Sequence, residues 1–254
     1  MKKINYSKNI KIFCDKNYID YKSLKPLKND ASRRRYYRFT NNKKELLLMD
    51  SSLEKVSLEN FIKITEWLKS NNLSSPEIYI KDEKLGLLII EDFGDSKYSI
   101  LFKKEKKKKK TYYRNAIKLL IFLSEKEKPT FIKDYDHRVL KNELDLYINW
   151  ELNIKKNKKA LQDWNRIWNC LLKKVSYKKT CVVLRDFHVD NIFYLRDRYK
   201  LERIGLIDFQ DSLIGHPAYD LVSLLQDVRV FLSIEEQDSF YNYYKKHAKI
   251  KQDE

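Results

Sequence analysis

Two short segments in the second half of the chain carry side chains that could do chemistry. Asp186 and Asn191 have the spacing D-x-x-x-x-N and Asp208 follows a later apolar run, so each segment passes from a short strand into a polar turn. An acidic side chain in such a turn commonly caps the backbone or binds a metal ion. Because a turn at 196–199 joins the two segments as a hairpin, we expect the three side chains to meet. Their carboxylate and amide oxygens suit Mg²⁺, which also takes phosphate and water ligands.

The elements that position these loops can be read from hydrophobic periodicity. Apolar runs in the first half predict strands at 36–39, 45–49, 77–80 and 87–91. Between the second and third strands, residues 57–70 carry apolar side chains at helical spacing, with Ser57 as the predicted N-cap. The first half is therefore expected to be a small antiparallel sheet that carries one helix.

The second half is predicted to be mainly helical. The pattern predicts helices at 116–123, 139–154, 164–175, 217–228 and about 234–246, with short strands at 181–184, 192–195 and 204–207. The expected fold class is α+β in two lobes: a sheet-rich N-lobe at 1–95, a hinge near 91–95, and a larger helical C-lobe at 96–254.

The charge of the chain is strongly positive, yet it does not predict a nucleic-acid partner. The 254 residues include 53 Lys and Arg against 36 Asp and Glu, a formal charge of +17, and 41 of the basic residues are Lys. Most of the Lys is scattered among abundant Asn, Ile and Tyr, which indicates a compositional bias, and the dense run at 103–110 lies outside the chemical segments.

The sequence also predicts a cytoplasmic protein without a membrane partner. The N-terminus has no apolar signal region, and no apolar run reaches membrane-spanning length. The cysteines are few and isolated, at Cys14, Cys170 and Cys181, which favours a reducing compartment over a disulfide framework.

The two chemical segments resemble the catalytic and metal-binding loops of protein-kinase-like enzymes. The first matches H-x-D-x-x-x-x-N except that Leu184 stands at the His position, and residues 208–210 read Asp-Phe-Gln where protein kinases have Asp-Phe-Gly. Residues 215–221 then resemble the aminoglycoside phosphotransferase and choline kinase superfamily. The resemblance implies a two-lobed kinase-like fold that uses ATP and Mg²⁺.

A closer resemblance covers roughly residues 25–230. Segments at 30–38, 48–50, 185–191, 206–212 and 217–227 are similar to the bacterial anomeric N-acetylmuramate/N-acetylglucosamine kinase family of peptidoglycan recycling. That family transfers the γ-phosphate of ATP to the anomeric hydroxyl of the sugar. It normally continues with further helices, whereas this chain ends soon after residue 240. The expected explanations are a reduced substrate wall, a truncated copy, or one half of a split gene.

The resemblance assigns roles to individual residues. Asp186 is expected to be the catalytic base that accepts the proton of the sugar hydroxyl, and Asn191 and Asp208 are expected to hold Mg²⁺. The hinge residues Glu91 and Phe93 are expected to contact adenine. The expected substrate contacts, all polar and close to these loops or on the helix beside them, are His188, Asp190, Gln210 and Glu143. His188 has the alternative of a core role, and Asp220, in the first turn of a helix, is expected to be structural.

The phosphate-binding part of the N-lobe departs from the kinase pattern. No glycine lies between residues 30 and 38, and Met49 stands near the place of the usual phosphate-binding Lys. Backbone amides near Ser32, with Arg34 and Arg35, are the expected phosphate contacts. The candidates for the cation that replaces the Lys are Arg33, Arg34, Arg35 and Arg38.

Two other functions remain open on the sequence alone. One is a kinase for another small hydroxylated molecule, such as an aminoglycoside or a choline-like alcohol; a quaternary ammonium substrate predicts an aromatic cage. The other is a non-catalytic scaffold, which the intact set of Asp186, Asn191 and Asp208 disfavours.

Overall fold

A five-stranded antiparallel sheet forms the first half of the computed structural model, which describes residues 6–28, 33–150, 157–174 and 180–248. Helix α1 (Lys8–Lys16) precedes the sheet, and helix α2 (Lys55–Ser70) follows its third strand. The strands are β1 (Lys25–Pro26), β2 (Arg35–Asn41), β3 (Lys44–Asp50), β4 (Ile78–Asp82) and β5 (Leu87–Glu91), in the spatial order β1-β2-β3-β5-β4.

A tight two-residue turn joins β2 and β3 as a hairpin. Its register runs from Arg35 opposite Asp50 to Asn41 opposite Lys44. Asn42 and Lys43 connect the strands with φ of 48° and 64°, and positive φ at both central residues matches the twist of antiparallel strands. The hairpin therefore fixes which side chains of β2 face each side of the sheet.

The two faces of the sheet belong to two separate cores. One face packs Tyr37 and Phe39 of β2 against Phe13 of α1. The other packs Met49 and Leu88 against α2, in a cluster that continues into the second half of the chain. The Phe61 ring of α2 stacks on Phe209 at a centroid distance of 5.2 Å, so buried apolar contact joins the sheet half to the loop after residue 208.

The second half of the described chain is mainly helical. Its helices are α3 (Tyr98–Lys104), α4 (Lys109–Ser124), α5 (His137–Trp150), α6 (Lys158–Lys174), α7 (Ala218–Leu225) and α8 (Ile234–His247). Two antiparallel strand pairs lie among them: β6 (Cys181–Val183) with β9 (Leu213–Gly215), and β7 (Ile192–Tyr194) with β8 (Ile204–Leu206). The loops 184–191 and 207–212 each cross from one pair to the other, which brings the two chemical segments together.

The α+β class is confirmed, with local corrections. Helix α2 begins at Lys55 after Glu54, so the predicted N-cap at Ser57 is wrong. Helix α7 ends at Leu225 rather than 228, and α1 and β1 were not expected. The predicted helices 139–154 and 164–175 run into residues outside the described ranges. None of the described helices has the length and apolar character needed to cross a membrane.

Candidate active site

A buried carboxylate holds the backbone of loop 184–191. Asp220 of α7 is 3% exposed and accepts hydrogen bonds from the backbone N–H of Leu184 (2.7 Å) and of Arg185 (2.9 Å). Arg185 has a φ of 70°, a conformation that costs a non-glycine residue energy and needs support from its surroundings. Burial raises the pKa of Asp220 to about 7. The structural role expected for Asp220 agrees with these contacts.

Asp186 follows this strained residue and opens into a polar cleft. It is accessible from a cleft of about 800 Å³ that also contains His188, Asp190 and Arg229. Partial burial, followed by the nearby Asp208 carboxylate, raises the pKa of Asp186 above its ordinary value. Asp186 is therefore an accessible carboxylate with an elevated proton affinity, as a general base requires.

Asn191 and Asp208 face each other across the two loops. The Asn191 Nδ2 donates to the Asp186 carbonyl at 3.1 Å and lies 3.2 Å from His188 Nε2, which leaves its Oδ1 as the atom available to a ligand. Asp208, with a φ of 60°, accepts at Oδ1 from Arg34 at 2.8 Å and from Gln210 at 3.1 Å. Its second carboxylate oxygen is not used in these bonds.

This donor set fits a magnesium ion that shares its ligands with a nucleotide. One carboxylate and one amide oxygen are hard donors of the kind that Mg²⁺ prefers. Within the described residues, no group of three or more His, Cys, Asp or Glu side chains could hold a metal ion by itself. Mg²⁺ usually keeps several waters and binds through one or two carboxylates plus phosphates, so two protein ligands are sufficient.

Arg34 connects the sheet half to the loop that carries Asp208. It is 5% exposed, and its guanidinium donates to Gln210 Oε1 at 2.7 Å and to Asp208, while Glu54 lies 3.6 Å away. The Met49 side chain, at the position of the usual kinase Lys, is fully buried in the core instead. Of the four candidate arginines, Arg34 is the one that reaches Asp208 and Gln210.

The other N-lobe arginines have different surroundings. Arg38 pairs with Asp92 (Nε to Oδ2, 2.5 Å) and Asp95 at the hinge. Arg35 is exposed and shares its face of β2 with Tyr37, away from the cleft, because side chains alternate along a strand. The expectation that Arg35 contacts phosphate is therefore not supported by its placement. Ser32 lies outside the described residues.

A second cleft, of about 360 Å³, lies between the sheet and the hinge. Its apolar lining includes Tyr36, Leu47, Ile90, Phe193 and Ile207, and residues 91–95 of the hinge form one side. In the structure, both the backbone and the side chain of the hinge residue Glu91 have partners within the protein. The Glu91 backbone N–H already donates to the Glu77 carbonyl at 2.8 Å, and its carboxylate pairs with Arg198 at 2.5 Å.

Phe93 anchors the hinge against the second half of the chain. Its ring lies 5.6 Å from the Phe193 ring and under the Arg198 guanidinium. The ring also covers Gly205 so closely that a Cβ there would come within 2.8 Å of it. Phe93 therefore shapes the wall of this cleft through its side chain, in addition to any contact from its backbone.

The two clefts meet at a small set of polar side chains. The residues that line both are Arg34, Lys97, Asn191 and Asp208. The residues that line the polar cleft alone are Glu54, Ser57, Asp186, His188, Asp190, Gln210, Asp211 and Arg229. Three of the four expected substrate contacts, His188, Asp190 and Gln210, are in this second set.

Glu143 is the exception among the expected substrate contacts. It does not line the polar cleft and instead accepts from Arg185 Nη2 at 2.5 Å and from the Tyr135 hydroxyl. Arg185 Nη1 also donates to the Asp211 carbonyl at 3.3 Å. Glu143 therefore ties α5 to both loops of the site, because Arg185 contacts both. The sugar contact expected of Glu143 stays a prediction, and these protein contacts favour a supporting role instead.

Gln210 and His188 are also held by protein contacts. Gln210 is 2% exposed and bonds to Arg34, Asp208 and Asp211, so it stabilises the loop around Asp208. Burial, followed by the Arg229 guanidinium, lowers the pKa of His188, so its imidazole is neutral at pH 7. Since Asn191 donates toward Nε2, the proton is assigned to Nδ1, which has no partner within the described residues.

Comparison with known proteins decides the family. The family model described as "Phosphotransferase enzyme family" matches residues 23–253, which is most of the chain. The chain belongs to the phosphotransferase enzyme family.

Curated relatives named N-acetylmuramate/N-acetylglucosamine kinase match most of the chain. The chain is 29% identical to the one from Caulobacter vibrioides over 199 residues, which is 74% of this chain and 54% of that protein. It is also 29% identical to the one from Neisseria meningitidis over 227 residues, 85% of this chain and 65% of that protein. The chain thus spans between about half and two thirds of the length of these relatives.

Solved structures agree on the fold. The choline kinase LicA from Streptococcus pneumoniae superposes with a TM-score of 0.70 over 97% of this chain and 84% of its own, at 15% identity. The ternary complex of streptomycin, ATP and APH(2'')-IIa superposes with a TM-score of 0.67 over 96% and 85%, at 17% identity. These similarities show that the chain has the protein-kinase-like fold, as the sequence predicted.

Several residues that line the polar cleft were not predicted from the sequence. Arg229, Lys97 and Glu54 line the polar cleft, but none lies in a strand-to-turn motif. Arg229 lies two positions after Asp227, the last residue of the family-like segment 217–227. This proximity is the feature of the sequence that could have predicted Arg229 as a site residue. Their places depend on packing between distant elements.

Proposed function

We propose that the chain is an ATP-dependent kinase that phosphorylates the anomeric hydroxyl of N-acetylmuramate or N-acetylglucosamine. The observation that carries the proposal is the junction of the two clefts. Asn191 and Asp208 line both clefts, while Asp186 lines only the polar one. A phosphate donor in the first cleft and a hydroxyl acceptor in the second would meet beside Asn191 and Asp208, which would hold the metal ion, and Asp186, which would act as the base.

The nucleotide would occupy the cleft beside the hinge. Its apolar lining suits adenine, and the hinge residues 91–95 provide backbone groups along one side. The γ-phosphate would lie at the junction, where Arg34 and Lys97 supply positive charge. Asn191 and Asp208 would hold Mg²⁺, which would neutralise charge on the phosphate oxygens.

The acceptor sugar would occupy the polar cleft with its O1 hydroxyl toward Asp186. As O1 bonds to the γ-phosphorus, the bond from that phosphorus to the β–γ bridging oxygen breaks, and ADP leaves. The O1 proton passes to the Asp186 carboxylate. Phosphoryl transfer of this kind has a loose transition state, so Asp186 contributes mainly by orienting the hydroxyl. The hydrogen bonds from the Leu184 and Arg185 backbone N–H groups to Asp220 hold the loop that carries Asp186.

The substrate class is supported by the relatives and by the lining of the cleft. The curated relatives are named for amino sugars. Among the described residues that line the polar cleft there is no Phe, Tyr or Trp, so an aromatic cage for a choline-like ammonium group is missing there. The proposal includes a cytoplasmic location, where ATP is available, and a role in peptidoglycan recycling.

The test is a substrate panel with product identification. Purified protein with Mg-ATP is incubated with N-acetylmuramate, N-acetylglucosamine, an aminoglycoside and choline, and products are examined by ³¹P NMR, which separates an anomeric phosphate from a 6-phosphate. We expect anomeric phosphate from an amino sugar, and loss of this product in Asp186→Asn. Turnover of the aminoglycoside or choline alone, or a 6-phosphate, would contradict the proposal.

A further inference from the structure

Arg229 is fixed in the acceptor cleft by buried contacts at its base. It follows α7, and its backbone N–H donates to Asp227 Oδ1 at 2.9 Å while its Nη1 lies 3.1 Å from the same oxygen. The Asp227 side chain is fully buried, and its Oδ2 accepts from the backbone N–H of Val189 at 3.1 Å. One carboxylate therefore sets the position of Arg229 relative to the loop that carries Asp186.

The outer edge of the Arg229 guanidinium remains available. Arg229 has five N–H donors, of which Nε faces Asp190 Oδ2 at 3.2 Å and one Nη1 hydrogen faces Asp227. Within the described ranges, no ion pair or hydrogen bond uses Nη2. The side chain is 43% exposed and lines the acceptor cleft. The Nη1–Nη2 edge has the geometry that binds a carboxylate through two parallel bonds.

Arg229 is also the cation placed away from the nucleotide. The cations that line the acceptor cleft are Arg34, Lys97 and Arg229. The first two also line the nucleotide cleft, and Arg34 is paired with Asp208. The other charged side chains of the acceptor cleft are carboxylates, which would repel an anionic substrate. An acidic group on the acceptor would therefore be stabilised beside Arg229.

We propose that Arg229 determines specificity for an acidic acceptor by binding its carboxylate. The inference rests on the proposed function: N-acetylmuramate carries a lactyl carboxylate, and N-acetylglucosamine has a hydroxyl in its place. Asp190, held against Arg229 Nε, is positioned to accept a hydrogen bond from a neighbouring sugar hydroxyl. The chain thus favours the acidic sugar over the neutral one, because the neutral sugar leaves the guanidinium edge without its anionic partner.

The size of the effect follows from the exposure of the pair. A hydrogen bond between charged groups changes binding by roughly ten- to 150-fold when it is well shielded. Arg229 is partly exposed, and solvent screens such a pair, so we expect the lower end, about tenfold. The preference should also weaken as salt is added.

The experiment compares the two sugars in matched variants. kcat/KM is measured for N-acetylmuramate and N-acetylglucosamine with the wild type, Arg229→Gln and Arg229→Lys, at low and high salt. The ratio of the two values should fall about tenfold in the Gln variant, and the Lys variant should restore part of it. Arg196→Gln is the control, because Arg196 is an exposed arginine that pairs with Glu105 outside the cleft; its ratio should match the wild type.

The outcomes separate the inference from the proposed function. If wild-type protein turns over neither sugar, the proposed function fails and the inference fails with it. If both sugars are turned over and Arg229→Gln lowers both by the same factor, Arg229 only supports Asp190 and the loop, and the inference alone is overturned. Asp190→Asn checks this: a change of the sugar ratio equal to that in Arg229→Gln would also assign the effect to Asp190 and overturn the inference.

Discussion

Replacing Glu143 by Gln should lower kcat while leaving the KM for the acceptor sugar unchanged. Glu143 accepts from Arg185 Nη2 at 2.5 Å, and both side chains are 28% exposed. The Arg185 Nε is buried without a partner among the described residues, so its guanidinium depends on Glu143 and the Asp211 carbonyl. Removing the negative charge of Glu143 weakens the stronger of these two interactions, next to Asp186.

The magnitude follows from the strength of this charged hydrogen bond. A hydrogen bond between charged groups contributes about 1.5–3 kcal/mol, and partial exposure places this one near the lower value. If the loss of about 1.5 kcal/mol of loop stabilisation raises the activation free energy by the same amount, kcat falls about tenfold. The acceptor KM should change less than twofold, because Glu143 does not line the acceptor cleft.

The assay is steady-state kinetics with varied sugar at saturating Mg-ATP. Asp163→Asn is a matched control, because it breaks a carboxylate–arginine pair on α6 that is more exposed and does not line the polar cleft. A double-mutant cycle with Arg185→Gln should show strong coupling to Glu143. A rise of the acceptor KM at unchanged kcat in Glu143→Gln would refute the supporting role and restore Glu143 as a sugar contact.

Three further variants test other parts of the site. Arg34→Met should raise the KM for ATP and destabilise the fold by about 3 kcal/mol, because it leaves the buried Gln210 and the Asp208 carboxylate without their cation. A thermal melt and an ATP titration test this prediction. An unchanged KM for ATP would contradict it. Gly205→Ala should raise the KM for ATP by forcing the Phe93 ring from the hinge, whereas an equal rise in the acceptor KM would argue against a local effect. Hydrogen bonds from Lys108, Tyr112 and Arg196 lower the pKa of Glu105 to about 2, against about 4.3 in an unfolded chain. The ionised Glu105 carboxylate therefore stabilises the fold above about pH 4.3, and this stabilisation is lost as the pH falls toward 2. The melting temperatures of the wild type and Glu105→Gln should converge over that range.

The fold and the central loops could be predicted because their information is local. Asp186 and Asn191 lie five residues apart in one loop, so their spacing alone brings them together. Strands β2, β3 and β5 lay within two residues of their predicted bounds, since alternation and apolar runs reflect the burial of each face. The start of α2 was misplaced because Ser57 is a good capping residue in isolation, whereas the structure uses it to line the acceptor cleft.

The sequence by itself determined the side chains of the candidate site: two carboxylates and an amide on two loops of one hairpin unit. Only the tertiary structure decided which distant charges support them. Arg34 and Arg35 are neighbours in the chain, yet only Arg34 reaches Asp208, 174 residues away. Glu143 pairs with Arg185 and Arg229 with Asp190, through contacts between separate elements. Side-chain type and spacing fix what a loop can do, but the partner of a charge depends on which surfaces the packed core brings into contact.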